Sequence, residues 1–349
     1  MSTENSNSVD NFLFIGYNEE KGGGDVAVKE DVLRLLEKNR NNSISGEAIA
    51  KTLSVSRNAI WKGIESLRAE GYIIEAVRNK GYRLISSGNA FTSEGIYALL
   101  GDNSERFDIT VIDTVTSTNT VLKGEAEQGE REGKILIAEE QTSGKGRLGR
   151  SFYSPKGTGL YMSILLRPDF DANKALYITT CAAAAVSEAI DSVAGIETEI
   201  KWVNDIYYKG KKLCGILTEA SVDFESGGLH YAVLGIGINV TEMAFPEELT
   251  GIAASLNMKR SVMAELTAAI IERFFRYYDN IGELLFLPEY RRRSFLIGET
   301  VSFIKEGAVR RAEVLDIDDR VRLVVKEESG KITALSSGEV TLIKDGKIR

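Results

Sequence analysis

Histidine and cysteine are scarce in this sequence, and each scarcity excludes a class of site. The 349 residues include one histidine, His230, which stands in a glycine-rich turn context. Histidine acid–base catalysis and metal sites built from histidine are therefore not expected. The two cysteines, Cys181 and Cys214, lack CxxC spacing. This argues against a disulfide framework or a structural zinc site and suits a reducing compartment.

Long apolar segments are also missing. The longest runs, such as 181–186, fall far short of the roughly 18 residues that a membrane-spanning helix needs. Residues 1–11 have no basic start followed by an apolar stretch, so we expect no secretory signal. A hydrophobic content of 43% and a charged content of 27% fit a globular protein. We therefore expect a cytoplasmic protein without membrane contact.

Charge is distributed unevenly along a chain whose length suits about two or three domains. Residues 25–90 contain 11 Lys or Arg and 8 Asp or Glu, whereas the whole chain has a net charge of −8. A locally basic segment on an acidic body indicates that nucleic-acid contact would be confined to that segment. A charge difference of this size also arises by chance, so it does not by itself establish that the segment contacts nucleic acid.

Residues 28–88 have the pattern of a small helical module that ends in a β-hairpin. Apolar residues recur at helical spacing within 28–36, and Ser45 and Ser56 are suitable N-caps for two further helices. Apolar and polar residues then alternate through 72–85 around a turn. This order predicts a winged helix-turn-helix, with one helix in the DNA major groove and the wing on the backbone.

The predicted DNA contacts are polar or basic positions on that helix and wing. They are Ser56, Arg57, Asn58, Lys62, Arg78 and Lys80. The alternative is a winged-helix module that makes only protein contacts, because one fold serves many functions. Residues 1–27 are rich in Asn, Ser, Glu and Gly, and we predict that they form a disordered extension.

The rest of the chain divides into two parts. Residues 91–292 mix strand-like runs, one of them over 198–204, with long helical patterns, which predicts an α+β domain with one extended mixed sheet. Residues 296–349 contain four or five short strand-like runs separated by glycine or acidic turns. That pattern suits a small SH3-like β-barrel. The predicted fold class is therefore a multidomain α+β protein.

The most informative local pattern is the run QTSGKGRLGR at 141–150. Three glycines and three cations stand within seven residues: Gly144, Gly146, Gly149, Lys145, Arg147 and Arg150. Glycine permits close approach to a ligand, and arginine offers a planar fork of donors for carboxylate or phosphate. The run predicts a loop that closes over an anion, although an ordinary solvated turn has a similar composition.

Three other segments combine polar residues with apolar strands. The Ser117-Thr118-Asn119 segment suits either a polar heterocycle or a helix cap, and the cap is favoured when the segment is taken alone. Lys212 begins a strand and could point into a cleft, or it could simply solubilise a hairpin. The run 235–240 begins like a dinucleotide-binding motif but lacks its third glycine, so that interpretation is weak.

Taken together, these segments resemble the biotin–protein ligases, and the winged helix resembles that of the bifunctional bacterial biotin operon repressor/ligases. The resemblance spans roughly residues 28–345. Its motifs occur in family order: STN at 117–119, EEQTSGKGRLGR at 139–150, FYSPKGTGLYMSILLRP at 152–168, KWVND at 201–205, KLCGIL at 212–217 and GIGINV at 235–240.

The resemblance implies a class II synthetase-like central domain and a two-step reaction. Biotin carboxylate attacks the α-phosphate of ATP, and a lysine of biotin carboxyl carrier protein of acetyl-CoA carboxylase then attacks the adenylate. ATP with Mg²⁺ and biotin are the implied substrates, with no permanently bound cofactor and no metal site built from protein side chains. Operator DNA and a homodimer of the adenylate-bound form are the other implied partners.

The resemblance also assigns roles to residues. The implied biotin contacts are Ser117, Thr118, Asn119, Gln141, Lys145, Gly146, Arg147 and Lys212. The implied adenylate contacts are Gly144, Arg150, Phe152, Asn204, Asp205 and Asn239. Arg147 and Lys212 are the implied catalytic residues, because they would neutralise the charge that develops at the reacting centre.

Three positions depart from the family pattern. Lys145 replaces an arginine, Val203 replaces a proline and Phe152 replaces a tryptophan. These changes keep charge or ring character at two of the positions, so they put affinity in doubt rather than the reaction. Two alternatives stay open: a biotin-sensing repressor that has lost ligase activity, and a lipoate–protein ligase.

Overall fold

A computed structural model gives the fold. It describes residues 25–39, 42–69, 71–78, 80–86, 91–223, 227–305, 307–336, 338, 340–344 and 347–348. The extension predicted for residues 1–27 lies outside the described residues, except for 25–27, which form the first turn of a helix.

The described residues form helices and strands in three groups along the chain. The helices are α1 Asp25–Lys38, α2 Gly46–Leu53, α3 Arg57–Ala69, α4 Ser93–Leu100, α5 Thr118–Glu127, α6 Ala175–Ala194, α7 Met263–Tyr278 and α8 Leu287–Arg293. The strands are β1 Ile73–Val77, β2 Gly81–Ser86, β3 Asp108–Val115, β4 Lys134–Gln141, β5 Gly159–Leu166, β6 Glu199–Lys201, β7 Asp205–Tyr208, β8 Lys211–Val222, β9 Leu229–Asn239, β10 Thr300–Lys305, β11 Ala308–Ile317, β12 Leu323–Glu327, β13 Ile332–Leu335, β14 Val340–Lys344 and β15 Lys347–Ile348. None of these helices has the length and apolar character needed to cross a membrane.

The first group is a winged helix-turn-helix. Helices α1 to α3 pack around a core in which Ile60, Ile64 and Leu67 are almost fully buried, and β1 pairs antiparallel with β2 as the wing. The predicted caps are confirmed, because Ser45 Oγ accepts a hydrogen bond from the Ala48 amide and Ser56 Oγ accepts one from the Ala59 amide. Each cap satisfies a backbone donor that the first helical turn leaves unpaired.

Helix α4 joins this module to the central domain. The hydroxyl of Tyr72, at the start of the wing, lies 2.9 Å from Thr92 Oγ1, and Thr92 caps α4 through the Gly95 amide. Lys29 of α1 lies 3.9 Å from Glu94 of α4. The winged module is therefore attached through a helix that also packs against α7 of the central domain.

The central domain is built on a seven-stranded sheet in the order β3-β4-β5-β9-β8-β7-β6. Among its described strand pairs, β3 and β4 are parallel and the other five pairs are antiparallel. The predicted mixed sheet is thus confirmed. Helix α6 packs on one face against β8, with α7 against it, and its central alanines are fully buried. Helix α5 lies against β4, β5 and β9 and leads into the cleft described below.

Two parts of the central domain differ from the sequence expectation. A single strand was expected over 198–204, but β6 ends at Lys201 and a turn precedes β7. The basic stretch 290–295 lies mostly in α8, where the Arg293 side chain is buried. No helix was predicted for this stretch, and the Arg293 charge is paired inside the domain.

The C-terminal group is an antiparallel sheet in the order β13-β12-β11-β10-β14-β15. It therefore has six described strands, where four or five were expected; closure into a barrel stays a prediction. Hydrogen bonds connect this group to the central domain. Trp202 Nε1 donates to the Val321 carbonyl at 3.0 Å, and the Tyr177 hydroxyl donates to the Asp319 carbonyl at 3.1 Å.

Candidate functional site

A cleft opens between the start of α5, the 141–150 run and strands β8 and β9. Most of the predicted central-domain residues line it. These are Ser117, Thr118, Asn119, Gln141, Lys145, Gly146, Arg147, Arg150, Phe152, Asn204, Asp205 and Lys212. Side chains that are far apart in the sequence therefore meet at one place.

Two predicted residues, Gly144 and Asn239, are not among those that line the cleft. A Cβ at Gly144 would lie 2.4 Å from the Phe152 carbonyl oxygen, so Gly144 allows two parts of the loop to meet. Asn239 is 6% exposed and its Nδ2 donates to the Ala254 carbonyl. Both residues support the wall, and their contacts with adenylate stay predictions.

The start of α5 forms one end of the cleft. Ser117 occupies the N-cap position, yet its side chain makes no capping hydrogen bond. The capping interpretation is therefore wrong for Ser117, which lines the cleft instead. The Thr118 amide and hydroxyl contact Gln141 Oε1 at 2.9 and 3.1 Å. Gln141 Nε2 donates to Ser154 Oγ, so both ends of its amide are held.

The basic loop is folded over the cleft. The Gly146 amide donates to the Arg150 carbonyl at 2.7 Å, which closes a tight turn. Arg147 Nη1 donates to Asn204 Oδ1 at 2.9 Å, and Nη2 donates to the Gly338 carbonyl at 3.2 Å. A guanidinium held at two points has few orientations open to it, so its direction is set before a ligand arrives.

Lys212 points into the same cleft from the start of β8. Its Nζ lies 2.7 Å from Asp205 Oδ1. That oxygen has no partner with hydrogen-bond geometry, so the contact is ionic and poorly aligned. Because β7 and β8 are adjacent strands, their pairing sets this distance.

The charge of the cleft is strongly positive. Its lining cations are Lys145, Arg147, Arg150, Lys201 and Lys212, and its one lining carboxylate among the described residues is Asp205. Such a concentration of cations in a partly enclosed space favours ligands that carry several negative charges. Nearby Cys214 is not a candidate nucleophile, because burial raises the pKa of its thiol well above the usual range.

Glycines leave room for two of the side chains in the cleft. A Cβ at Gly235 would lie 2.2 Å from Asn119 Oδ1, and a Cβ at Gly237 would lie 2.6 Å from the Phe152 ring. Neither distance is possible for a real side chain. The two glycines of the 235–240 run are therefore required by close packing and not by a dinucleotide.

Several polar residues behind the cleft were missed at the level of sequence. Ser163 Oγ lies 2.7 Å from Thr118 Oγ1 and 2.6 Å from Asn119 Oδ1. Glu219 accepts hydrogen bonds from Asn119 and from Lys123. One signal was available, since Ser163 is the small polar residue in the otherwise apolar and aromatic run of β5. A buried hydroxyl needs a partner.

The described residues offer no group of three or more His, Cys, Asp or Glu side chains that could hold a metal. In the described part of the cleft, Asp205 is the one lining carboxylate and it is paired with Lys212. A Mg²⁺ ion that arrives with a nucleotide would therefore depend mainly on phosphate oxygens and water.

The residues predicted to contact DNA all lie on the surface of the winged module. All six side chains are exposed. Arg57 lies 2.5 Å from Glu47 of α2, and Ser56 uses its oxygen as a cap. Trp61, on the same helix, is 53% exposed. The six predicted residues therefore lie on or next to α3 and the wing, where their side chains are accessible to a ligand.

Comparisons with known proteins identify all three parts. The biotin/lipoate A/B protein ligase family matches residues 111–239, an HTH domain matches 28–83, and the biotin protein ligase C-terminal domain matches 296–342. The chain is similar to the bifunctional ligase/repressor BirA of Bacillus spizizenii, with 34% identity over 90% of this chain and 98% of that protein.

Relatives with lower sequence identity belong to the same family. The bifunctional ligase/repressor BirA of Escherichia coli is 28% identical over 85% of this chain and 92% of its own length. A structure of biotin protein ligase from Aquifex aeolicus in complex with biotin and ATP matches with a TM-score of 0.57 and 28% identity, over 68% of this chain and 99% of that one. The chain therefore belongs to the biotin protein ligase family, in its bifunctional ligase/repressor form.

Proposed function

We propose that the protein is an ATP-dependent biotin–protein ligase that also represses transcription of biotin genes. The observation that carries the enzymatic part is the cleft, in which an uncharged polar end at α5 adjoins a group of five cations. The polar ureido ring of biotin matches the uncharged end. The biotin carboxylate and the phosphates of ATP match the cations. The lipoate ligase alternative fits less well, since a dithiolane ring cannot use so many hydrogen-bonding groups.

In the first step, the biotin carboxylate oxygen attacks the α-phosphorus of ATP, the bond to the bridging oxygen breaks, and pyrophosphate leaves. Biotin would bind through Ser117, Thr118, Asn119, Gln141, Lys145, Gly146, Arg147 and Lys212. Arg147 and Lys212 then stabilise negative charge on the α-phosphate as the bond forms. Asn204 aids this step by orienting Arg147.

In the second step, the amine of an acceptor lysine attacks the carbonyl carbon of the mixed anhydride. An amide forms, AMP leaves with the bonding electrons, and the amine proton passes to solvent or phosphate. Neither step forms a covalent bond to the enzyme, so no nucleophilic side chain is required. The protein supplies orientation, charge and exclusion of water.

Adenylate would lie between the loop and the far end of the cleft. We assign this part to Gly144, Arg150, Phe152, Asn204, Asp205 and Asn239. Mg²⁺ enters as part of the ATP complex, and it lowers the repulsion between the carboxylate and the triphosphate. No resident cofactor is required, because every group that changes its bonding belongs to a substrate.

A transfer assay tests the enzymatic proposal. Labelled biotin or labelled lipoate is incubated with the protein, MgATP and the biotin carboxyl carrier domain of acetyl-CoA carboxylase. We expect the carrier to be labelled when the labelled substrate is biotin and not when it is lipoate. Labelling by lipoate and not by biotin supports the lipoate ligase. Biotin binding without any transfer supports the sensor that has lost ligase activity.

The regulatory part concerns the winged module. We infer that biotinyl-5′-adenylate promotes homodimerisation and that the dimer binds operator DNA through Ser56, Arg57, Asn58, Lys62, Arg78 and Lys80. A ligand shifts such an equilibrium only if it binds the dimer more tightly than the monomer. Sedimentation analysis should give a higher mass with biotin and MgATP together than with either alone. An unchanged mass would contradict this coupling.

These activities fit a cytoplasmic location. ATP, the carrier protein and operator DNA occur together there, and both free cysteines are buried. Fractionation of cells that express the protein at its natural level should place it with soluble cytoplasmic markers. Recovery with the membrane fraction would contradict this assignment.

A further inference from the structure

A charged pair lies directly behind the polar end of the cleft. Lys123 Nζ of α5 lies 2.8 Å from Glu219 Oε1 of β8. The other carboxylate oxygen, Oε2, accepts a hydrogen bond of 3.0 Å from Asn119 Nδ2. Asn119 lines the cleft, whereas neither Glu219 nor Lys123 is among its lining residues. The pair reaches a ligand most directly through Asn119, and the Glu219 charge also acts on Lys145 of the cleft.

The orientation of the Asn119 amide follows from its neighbours. Both protons of Nδ2 are used, one toward Glu219 Oε2 and one toward the Leu217 carbonyl at 3.3 Å. The oxygen, Oδ1, lies 2.6 Å from the Ser163 hydroxyl, which can donate to it. A flipped amide would set Oδ1 against a carboxylate and a carbonyl. Three acceptors would then meet without a proton between them.

Glu219 favours this orientation of the Asn119 amide only while its own carboxylate is ionised. Burial acts to raise the pKa of Glu219, but hydrogen bonds from Lys123 and Asn119 outweigh burial and hold the pKa below its ordinary value. Lys123 thus stabilises the ionised form of Glu219, a partly buried hydrogen-bond acceptor.

We propose that Glu219, supported by Lys123, is a positioning and specificity-determining residue that fixes the Asn119 amide with both Nδ2 protons committed to the protein and Oδ1 as its remaining hydrogen-bonding atom. This inference rests on the proposed biotin site. With both Nδ2 protons committed, Asn119 can offer a ligand an acceptor and no donor. The polar end of the cleft therefore selects ring systems that carry N–H groups. A cyclic urea has such groups, and a dithiolane has none.

The test compares the full-length protein with its Glu219→Gln variant. Glutamine keeps the size of the side chain, but its NH₂ group can face Oδ1 of a flipped Asn119, so both amide orientations become accessible. We expect KM for biotin to rise about tenfold, with kcat and KM for ATP within about twofold of the wild type. Lys123→Met should move KM for biotin in the same direction by a smaller factor.

A double variant separates orientation from general disturbance. When Asn119→Asp is combined with Glu219→Gln, the glutamine NH₂ can donate to one oxygen of the new carboxylate, and the other oxygen takes the place of Oδ1. This double variant should recover part of the loss in KM that Glu219→Gln causes. The recovery is partial because the Leu217 carbonyl then faces an acceptor. Random damage to the site would instead make the double variant worse.

The matched control is Glu188→Gln, which removes a charge that pairs with Arg276 outside the cleft. It should leave both KM values unchanged. The inference is overturned if Glu219→Gln keeps a wild-type KM for biotin, or if the double variant shows no recovery. Should Glu219→Gln not fold, a wild-type KM in Lys123→Met would overturn it. A wild-type protein that transfers no biotin would instead refute the proposed function.

Discussion

At the scale of single residues, the site consists of cations whose directions are set by neighbours. Arg147 is held by Asn204 and by the Gly338 carbonyl, and Lys212 lies beside Asp205. In the proposed function, cations placed in this way meet the developing charge with little reorganisation. We propose that this preorganisation is the main source of catalysis, because the reaction needs no covalent enzyme intermediate.

Removal of the Lys212 ammonium should therefore slow adenylate formation strongly. For Lys212→Ala we expect kcat to fall about 100-fold to 1,000-fold, by analogy with the loss of one oxyanion donor. Biotin-dependent release of pyrophosphate measures the rate. The control is Lys211→Ala, since Lys211 is the exposed neighbour that does not line the cleft. Full turnover in Lys212→Ala would refute the role assigned to it.

Gly235 offers a test of packing at the residue scale. In Gly235→Ala the new Cβ would meet Asn119 Oδ1 at 2.2 Å, so Asn119 must leave its position. We expect biotin affinity to fall at least about tenfold, because the displaced amide also loses its partners. Isothermal titration with biotin measures this. Gly124→Ala is the control, because nothing lies within 4 Å of a Cβ there. Equal biotin affinity in the two variants would contradict the packing argument.

The residues of the cleft were predictable only in part. Ser117, Thr118 and Asn119 stand together in the sequence, and their motif identifies them. Glu219 lies 100 positions from Asn119 in the chain. Only the contact of α5 with the sheet brings the two together, and no local pattern indicates it.

At the scale of secondary structure, helix α8 shows how a basic stretch can be structural. Arg293 lies inside the domain, where it contacts Asp191, Glu289 and Thr198. Its partners come from α6, from α8 itself and from the segment before β6. The helix therefore ties three elements together close to the start of the C-terminal domain.

Loss of this arginine should destabilise the central domain. For Arg293→Met we expect the free energy of unfolding to fall by about 3 kcal/mol, because the partly buried carboxylates of Asp191 and Glu289 lose a buried partner. Urea unfolding followed by tryptophan fluorescence measures the change. Arg292→Met is the control and should cost less than about 1 kcal/mol, since that side chain is half exposed. Equal costs for the two variants would contradict the buried role of Arg293.

The contribution of Glu289 in α8 to the free energy of unfolding should depend on pH. Hydrogen bonds from Arg292, together with Arg293, lower the pKa of Glu289 from 4.5 to about 2. A carboxylate with a lowered pKa stabilises the fold above its unfolded pKa, and that stabilisation is lost as pH falls through the folded value. Glu289→Gln should therefore be less stable than the wild type near neutral pH, by about 1 kcal/mol. The difference should shrink between pH 4.5 and about 2. A difference independent of pH in urea unfolding would contradict this.

Most elements could be predicted from periodicity. The long helix α6 and the strands β4, β5 and β9 are continuous apolar or alternating runs of the length that each element needs. Helix α8 was missed because its three arginines hide the apolar contacts of Leu287 and Tyr290. The turn after Lys201 was missed because 198–204 has strand-like composition, and only pairing with β7 ends the strand.

At the scale of the whole molecule, the cleft touches the C-terminal domain and lies in a body that also holds the winged module. The Gly338 carbonyl of the C-terminal group accepts a hydrogen bond from Arg147, and Trp202 donates to Val321. Helix α4 connects the winged module to α7. The three-domain order was predictable from sequence, but these contacts between domains depend on side chains far apart in the chain.

In the proposed function, one cleft makes an adenylate whose presence controls DNA binding. Fluorescence anisotropy of labelled DNA from upstream of the organism's biotin genes tests it, with protein alone, with biotin, with MgATP, and with both. We expect binding to tighten only when both substrates are present, because only then can adenylate form and bias the protein toward the DNA-binding dimer. Equal affinity in all four conditions would contradict the account.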